Sequence, residues 1–190
     1  MAGAGLSEVL RAVTSLARTG WMLRGVPPSE AETVASHSFA AAVIAFELAV
    51  ELKARGVEVD PYRASALALL HDLAESVVGD ITRRAGIGEA KREAEARAYM
   101  SLGVSDEAKR LYMEFEEGST VESLVARAAE LAATYWRSRE YMCRGFQVGE
   151  IASSTLGEAR RIASKAGFSE ALEALIARLE PGCGGEGWRG

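Results

Sequence analysis

Residues 66–80 read ALALLHDLAESVVGD. At helical spacing Leu67, Ala68, Ala74 and Val78 share a face with His71, so the segment reads as one apolar helix carrying an imidazole. The next residue is Asp72. An unpaired carboxylate in such surroundings costs many kcal/mol, so Asp72 needs a cation or several donors. Glu75 lies one turn beyond His71, and Asp80 follows Gly79, where the helix stops. Three carboxylates and a histidine within an otherwise apolar stretch mark a site. A blander arrangement has a core histidine with one hydrogen bond, Asp72 and Glu75 on a wet face, and Asp80 in a turn.

The chain holds only one other histidine, His37, on the preceding helical pattern, on a face with Ala41, Ile44 and Leu48. Two histidines from adjacent antiparallel helices can meet at one ion. Imidazole nitrogen with carboxylate oxygen suits Zn, Mn, Fe, Co or Ni, whereas an all-oxygen cage suits Mg or Ca.

Outward from this segment the pattern stays helical, with Gly and Pro at the joints. A first helix spans about Leu6 to Ala17, followed by a loop from Arg18 to Pro28. Ser29 with Glu32 three residues on predicts a capping box for a helix running to Arg55. Asp60 caps the next, with Pro61 at its first position, to Val78. Further helices are predicted at Glu89–Leu102, from a Ser105 cap to Glu117, at Thr120–Cys143, Gly149–Lys165 and Ser169–Leu179. β-Branched alternation is absent, so the fold class is all-α, a bundle of about seven to eight helices. Residues 1–180 read as one domain and 181–190 as a Gly-rich flexible tail.

Of the 190 residues 48% are hydrophobic, enough for a real core, and the net charge is −5. That balance lacks the basic field that nucleic-acid backbones require, while leaving room for a small phosphorylated ligand. The longest apolar segment, Phe39 to Val50, contains Glu47 and is shorter than a membrane span. Met1 to Leu10 lacks the build of a secretory leader. The expectation is a cytoplasmic protein with no membrane partner. Cys143 and Cys183 are far apart and form no metal-type pair, so free thiols are expected. There is no asparagine and one glutamine, a depletion found in thermophiles, where an intracellular disulfide between these two is also compatible.

The quoted segment resembles the HD-domain superfamily of metal-dependent phosphohydrolases, with its pattern H…HD…D. RTGW (Arg18–Trp21), ETVASH (Glu32–His37), HDLAESVVGDIT (His71–Thr82) and the later Glu140–Tyr141 are similar, more narrowly, to the HD-domain 5′-deoxynucleotidases, over roughly residues 6–170. The resemblance implies His37, His71 and Asp72 as ligands of a divalent transition metal ion (Co, Mn, Ni, Zn or Fe). It implies Glu75 as a catalytic carboxylate and Arg18 as the group orienting the phosphate. Trp21 and Asp80 fall on the nucleoside and sugar sides of the substrate pocket. It further implies hydrolysis of deoxynucleoside 5′-monophosphates and a homodimer. Two positions depart from the family pattern. Ser36 stands where an acidic residue commonly precedes the first histidine. Glu130, ten residues before Glu140, stands where the last metal ligand is an Asp. The alternatives are an HD phosphohydrolase acting on a triphosphate or signalling nucleotide, and a non-catalytic nucleotide-binding scaffold.

Overall fold

The computed structural model describes residues 3–82 and 86–180. Among them lie ten helical segments and no strand: α1 (Leu6–Ser15), α2 (Thr19–Met22), α3 (Val34–Ala54), α4 (Pro61–Leu70), α5 (Glu75–Val78), α6 (Gly88–Ser101), α7 (Asp106–Glu117), α8 (Val121–Cys143), α9 (Gly149–Ala166) and α10 (Ser169–Leu179). Two of these, α2 and α5, are four-residue turns, and the other eight are the helices that periodicity predicts. The expected tail, 181–190, lies outside the described residues.

Caps explain most boundaries. Asp60 accepts from the amides of Tyr62 and Arg63, with Pro61 opening α4. Ser105 accepts from the Ala108 amide, and Thr120 and Ser123 form a reciprocal capping box. Gly118 closes α7 in the left-handed region, at φ 62°, which a side chain would strain.

The core is built on α3, α4 and α8. Ala41, Ala45 and Ala49 of α3 and Ala128, Ala129 and Ala132 of α8 are fully buried in one cluster, joined by Leu48, Leu67 and Leu172. Small side chains at these positions let helix axes approach closely. As folded, α3 has 21 residues and is long and apolar enough to cross a membrane by length and composition, more than the Phe39–Val50 run suggests. Half of its apolar window is buried inside the structure, and core packing accounts for that half.

Four expectations are corrected. Helix α3 starts at Val34, not after Ser29: Thr33 is the cap, accepting from the Ser36 amide, and residues 27–31 form a turn closed onto the Pro27 carbonyl. The helix predicted from Asp60 to Val78 breaks after Leu70. There the Tyr99 hydroxyl donates to the Leu70 carbonyl (3.1 Å) and His71 Nδ1 to the Ala68 carbonyl (2.7 Å), taking acceptors that a continuing helix would use. The loop after Arg18 contains the turn α2, whose first amide is bonded by the distant Asp80. Finally, Cys143 at the end of α8 is disulfide-bonded rather than free. Cys183, the other cysteine of that expectation, lies outside the described residues.

Candidate functional site

His37 sits in the first turns of α3 and is 0% exposed, with neither ring nitrogen hydrogen-bonded. Its Nε2 faces Asp72 Oδ2 and Glu130 Oε2, each 4.0 Å away. His71 ends α4. A carbonyl can only accept, so the Ala68 contact puts a proton on His71 Nδ1 and turns Nε2 toward Asp72 Oδ2, 3.0 Å away. The Ala68 carbonyl thus orients the His71 ring so that its Nε2 meets Asp72. One ligand atom from each of His37, His71 and Asp72 lies within 4.8 Å of the others, so this cluster could hold a metal. Two buried ring nitrogens without partners cost about 1–3 kcal/mol each, a cost that ligation removes for the one that binds. The nitrogen and oxygen donors fit a late first-row divalent ion.

Burial and then the Arg18 cation hold the His37 imidazole well below its usual range. Burial also works against charge on His71, but Asp72 outweighs it and raises this pKa. Burial works against charge on Asp72 too. The His71 contact, followed by Arg18, nevertheless keeps Asp72 well below the ordinary carboxylate range.

These residues edge a cavity of about 550 Å³, a volume suited to a nucleotide-sized ligand. Arg18, Trp21, His71, Asp72, Glu75, Asp80 and Glu130 all line it, while His37 is buried behind its wall. Burial disfavours charge on Arg18, but Glu32, Asp72, Glu75 and Asp80 outweigh it and raise its pKa. Arg18 Nη1 has no hydrogen-bond partner. Asp80 Oδ2 accepts from the Thr19 amide at 2.5 Å, tying the loop after α5 to the start of α2. Glu75 is 4% exposed, and its Oε2 is buried without a partner. Burial, then the charges of Asp72 and Asp80, push its carboxyl up to about 10. Glu130 rises from α8 with its side chain 16% exposed, near Ala126 and Ala133, both buried.

Trp21 is 2% exposed and meets Tyr141 edge to face at 5.1 Å. Its indole N–H donates to Glu32 Oε1 at 2.9 Å. Glu32 is the main residue that sequence reasoning places wrongly, because its spacing from Ser29 matches a capping box. The available signal is its position beside Ala31 and Val34, both buried, where a solvated glutamate would not sit. Ser36, at the position where an acid is common, is exposed and bonded to Thr33 instead. The Glu140–Tyr141 dipeptide acts here through its tyrosine. Tyr141 accepts from the Glu32 amide and donates to the Glu30 carbonyl. Lys91 and Glu95, ion-paired at 3.3 Å on α6, also line the cavity. In the sequence they are indistinguishable from the solvated charges of that helix.

The chain is 36% identical to the 5′-deoxynucleotidase HDDC2 of Mus musculus over 132 residues, 66% of this chain and 62% of the relative. It is 27% identical to the 5′-deoxynucleotidase hdd1 of Schizosaccharomyces pombe over 127 residues, 61% of this chain and 60% of the relative. The chain therefore spans about three fifths of the length of these curated relatives. Among solved structures, a conserved hypothetical protein from Pyrococcus furiosus superposes with a TM-score of 0.74 at 30% identity, covering 90% of this chain and 94% of that one. The family profile described as HD domain matches residues 10–169, which takes in both histidines, Asp72 and Glu130, and the chain belongs to the HD-domain family.

Proposed function

We propose that this protein is a metal-dependent phosphohydrolase that converts deoxynucleoside 5′-monophosphates to deoxynucleoside and phosphate. The observation that carries the reading is the His37–His71–Asp72 cluster at the wall of a cavity that also presents the Arg18 guanidinium. The names of the two 5′-deoxynucleotidase relatives supply the substrate class.

On this reading His37, His71 and Asp72 hold a divalent transition ion (Co, Mn, Ni, Zn or Fe), with Glu130 as a fourth ligand. Such an ion, when bound, polarises a phosphoryl oxygen and acidifies water. Arg18 neutralises charge on the non-bridging oxygens, and its unpartnered Nη1 is available for that contact. Glu75, kept protonated by burial and by its acidic neighbours, donates its proton to the leaving 5′-oxygen. Trp21 walls the nucleoside side. Asp80, pinned through Oδ2, stands at the sugar end. A homodimer belongs to the same proposal. It is supported by an apolar groove of about 520 Å³ edged by Leu6, Leu10, Leu69 and Leu73, of which the first three are exposed.

A second reading has one observation in its favour. Lys91, Arg92 and Arg127 line the same cavity and would suit further phosphates. Product analysis separates the two. Deoxy- and ribonucleotides carrying one to three phosphates are incubated with Mn, Co, Ni, Zn or Mg in turn. Inorganic phosphate and deoxynucleoside from the deoxy monophosphates, with little from ribonucleotides, is the expected result. Pyrophosphate or triphosphate as the main product shifts the assignment to the second reading. No turnover with any metal leaves a binding scaffold.

The role of Glu130 has its own test, because its Oε2 is 4.0 Å from His37 Nε2 but lies outside the tight three-residue cluster. Glu130→Ala should weaken metal binding more than about tenfold, since the ion loses a charged ligand. Glu130→Gln should be nearly as harmful and Glu130→Asp intermediate. Unchanged affinity in Glu130→Ala, read by metal titration, removes this residue from the ligand set.

A further inference from the structure

Glu32 reaches several parts of the site at once. Its Oε1 accepts from Trp21 Nε1 at 2.9 Å and lies 4.0 Å from His37 Nδ1. Its Oε2 accepts from Arg137 Nε at 3.3 Å, across 105 residues of chain. The side chain is 3% exposed. Its backbone is fixed at both ends of the residue: the amide donates to the Tyr141 hydroxyl (2.8 Å), and the carbonyl accepts from the Arg18 amide (2.9 Å). Few glutamates are so constrained without purpose, since burying a carboxylate is costly and this one needs Arg137 and the indole to offset it.

The two nitrogens of His37 face different groups. Nε2 looks toward Asp72 and Glu130, and Nδ1 toward Glu32. Neither has a hydrogen bond. A neutral imidazole offers a lone pair on one nitrogen only. Which one is decided by the acceptor that the other nitrogen's proton finds. His71 finds that acceptor in the Ala68 carbonyl of its own helix. On the Nδ1 side of His37 the facing acceptor is Glu32 Oε1, 4.0 Å away.

We propose that Glu32 is the positioning residue of His37, keeping the proton on Nδ1 so that Nε2 presents its lone pair to the metal. The same oxygen holds the indole of Trp21, so the metal centre and one wall of the cavity share a single support. The inference rests on the reading of His37 as a metal ligand.

With two histidines in the chain, the imidazole ¹⁵N spectrum contains two rings. In the zinc-loaded full chain His37 should carry a proton on Nδ1, with Nε2 bound to the metal. Glu32→Gln keeps the shape and removes the charge. It should raise the zinc dissociation constant, measured by competition with a chelator, by about 10- to 100-fold. The thermal midpoint of the metal-free variant should stay near that of the wild type, which a merely structural role would not predict. If the wild-type chain takes up no zinc, the metal reading fails and this inference with it. If zinc binds but His37 ligates through Nδ1, or Glu32→Gln binds within about twofold of wild type, the role of Glu32 alone is overturned. The spectrum of the wild-type chain can overturn the proposal even where the variant does not fold.

Discussion

His71→Ala should purify without bound transition metal and release no phosphate above background. His71 and Asp72 are the closest donor pair of the cluster, 3.0 Å apart, and both extend from one short turn. Removing the imidazole takes away a nitrogen ligand and also the group that holds Asp72 in place. Loss of an outer partner alone costs about 10- to 100-fold in metal affinity, so loss of this ligand should exceed about 100-fold. The ring also packs 5.0 Å from Phe115, so some folding stability goes with it. His71→Gln, which refills much of that space, separates the two effects: it should fold better than the alanine variant and still bind metal poorly. Stoichiometric metal in purified His71→Ala, measured by elemental analysis, would remove His71 from the ligand set.

Glu75→Gln should lower kcat by about 10²- to 10⁴-fold, the usual contribution of a positioned proton donor. The pH profile carries the sharper test. Burial, then Asp72 and Asp80, raise the Glu75 carboxyl from 4.5 to about 10. The protonated form is the active one for an acid, so wild-type kcat should be high below the folded-state pKa and fall as pH rises through it. A bound cation favours the carboxylate, so the descending limb should lie below pH 10 and above the ordinary glutamate range. Glu75→Gln should lack that limb. A limb tied to Glu75 that rises with pH would make this residue a base acting on water. Wild-type kcat in the variant would exclude either role.

The donor cluster was legible because it violates the pattern around it. His71 and Asp72 interrupt an apolar run, and the only other histidine lies on the neighbouring helix. Asp60 and Ser105 signalled their helices correctly because capping is a local interaction. What escaped was decided by distant partners. By local pattern Ser29 with Glu32 is the stronger start for α3, a capping box, and Thr33 is the weaker one. The choice falls to Thr33 because Glu32 is claimed by Trp21 and Arg137. The break after Leu70 depends on Tyr99, 29 residues further on. Glu130 illustrates the limit of periodicity. The apolar stripe of α8 fixes which face is buried in the core, yet Glu130 reaches His37 from beside that face.

The interruption between α4 and α5 bears on how this protein can be engineered. In an unbroken helix the Ala68 carbonyl accepts from the Asp72 amide four residues on, in competition with the His71 Nδ1 bond that orients the ring. Substitutions chosen for helix propensity along residues 70–75 would favour that continuous form. They would raise local order while loosening the hold on the His71 ring, and a variant selected only for heat tolerance would drift toward weak metal binding. Consensus or propensity-based stabilisation is therefore better confined to the solvent faces of α6, α9 and α10, where exposed charges already dominate and none of the three cluster residues is carried.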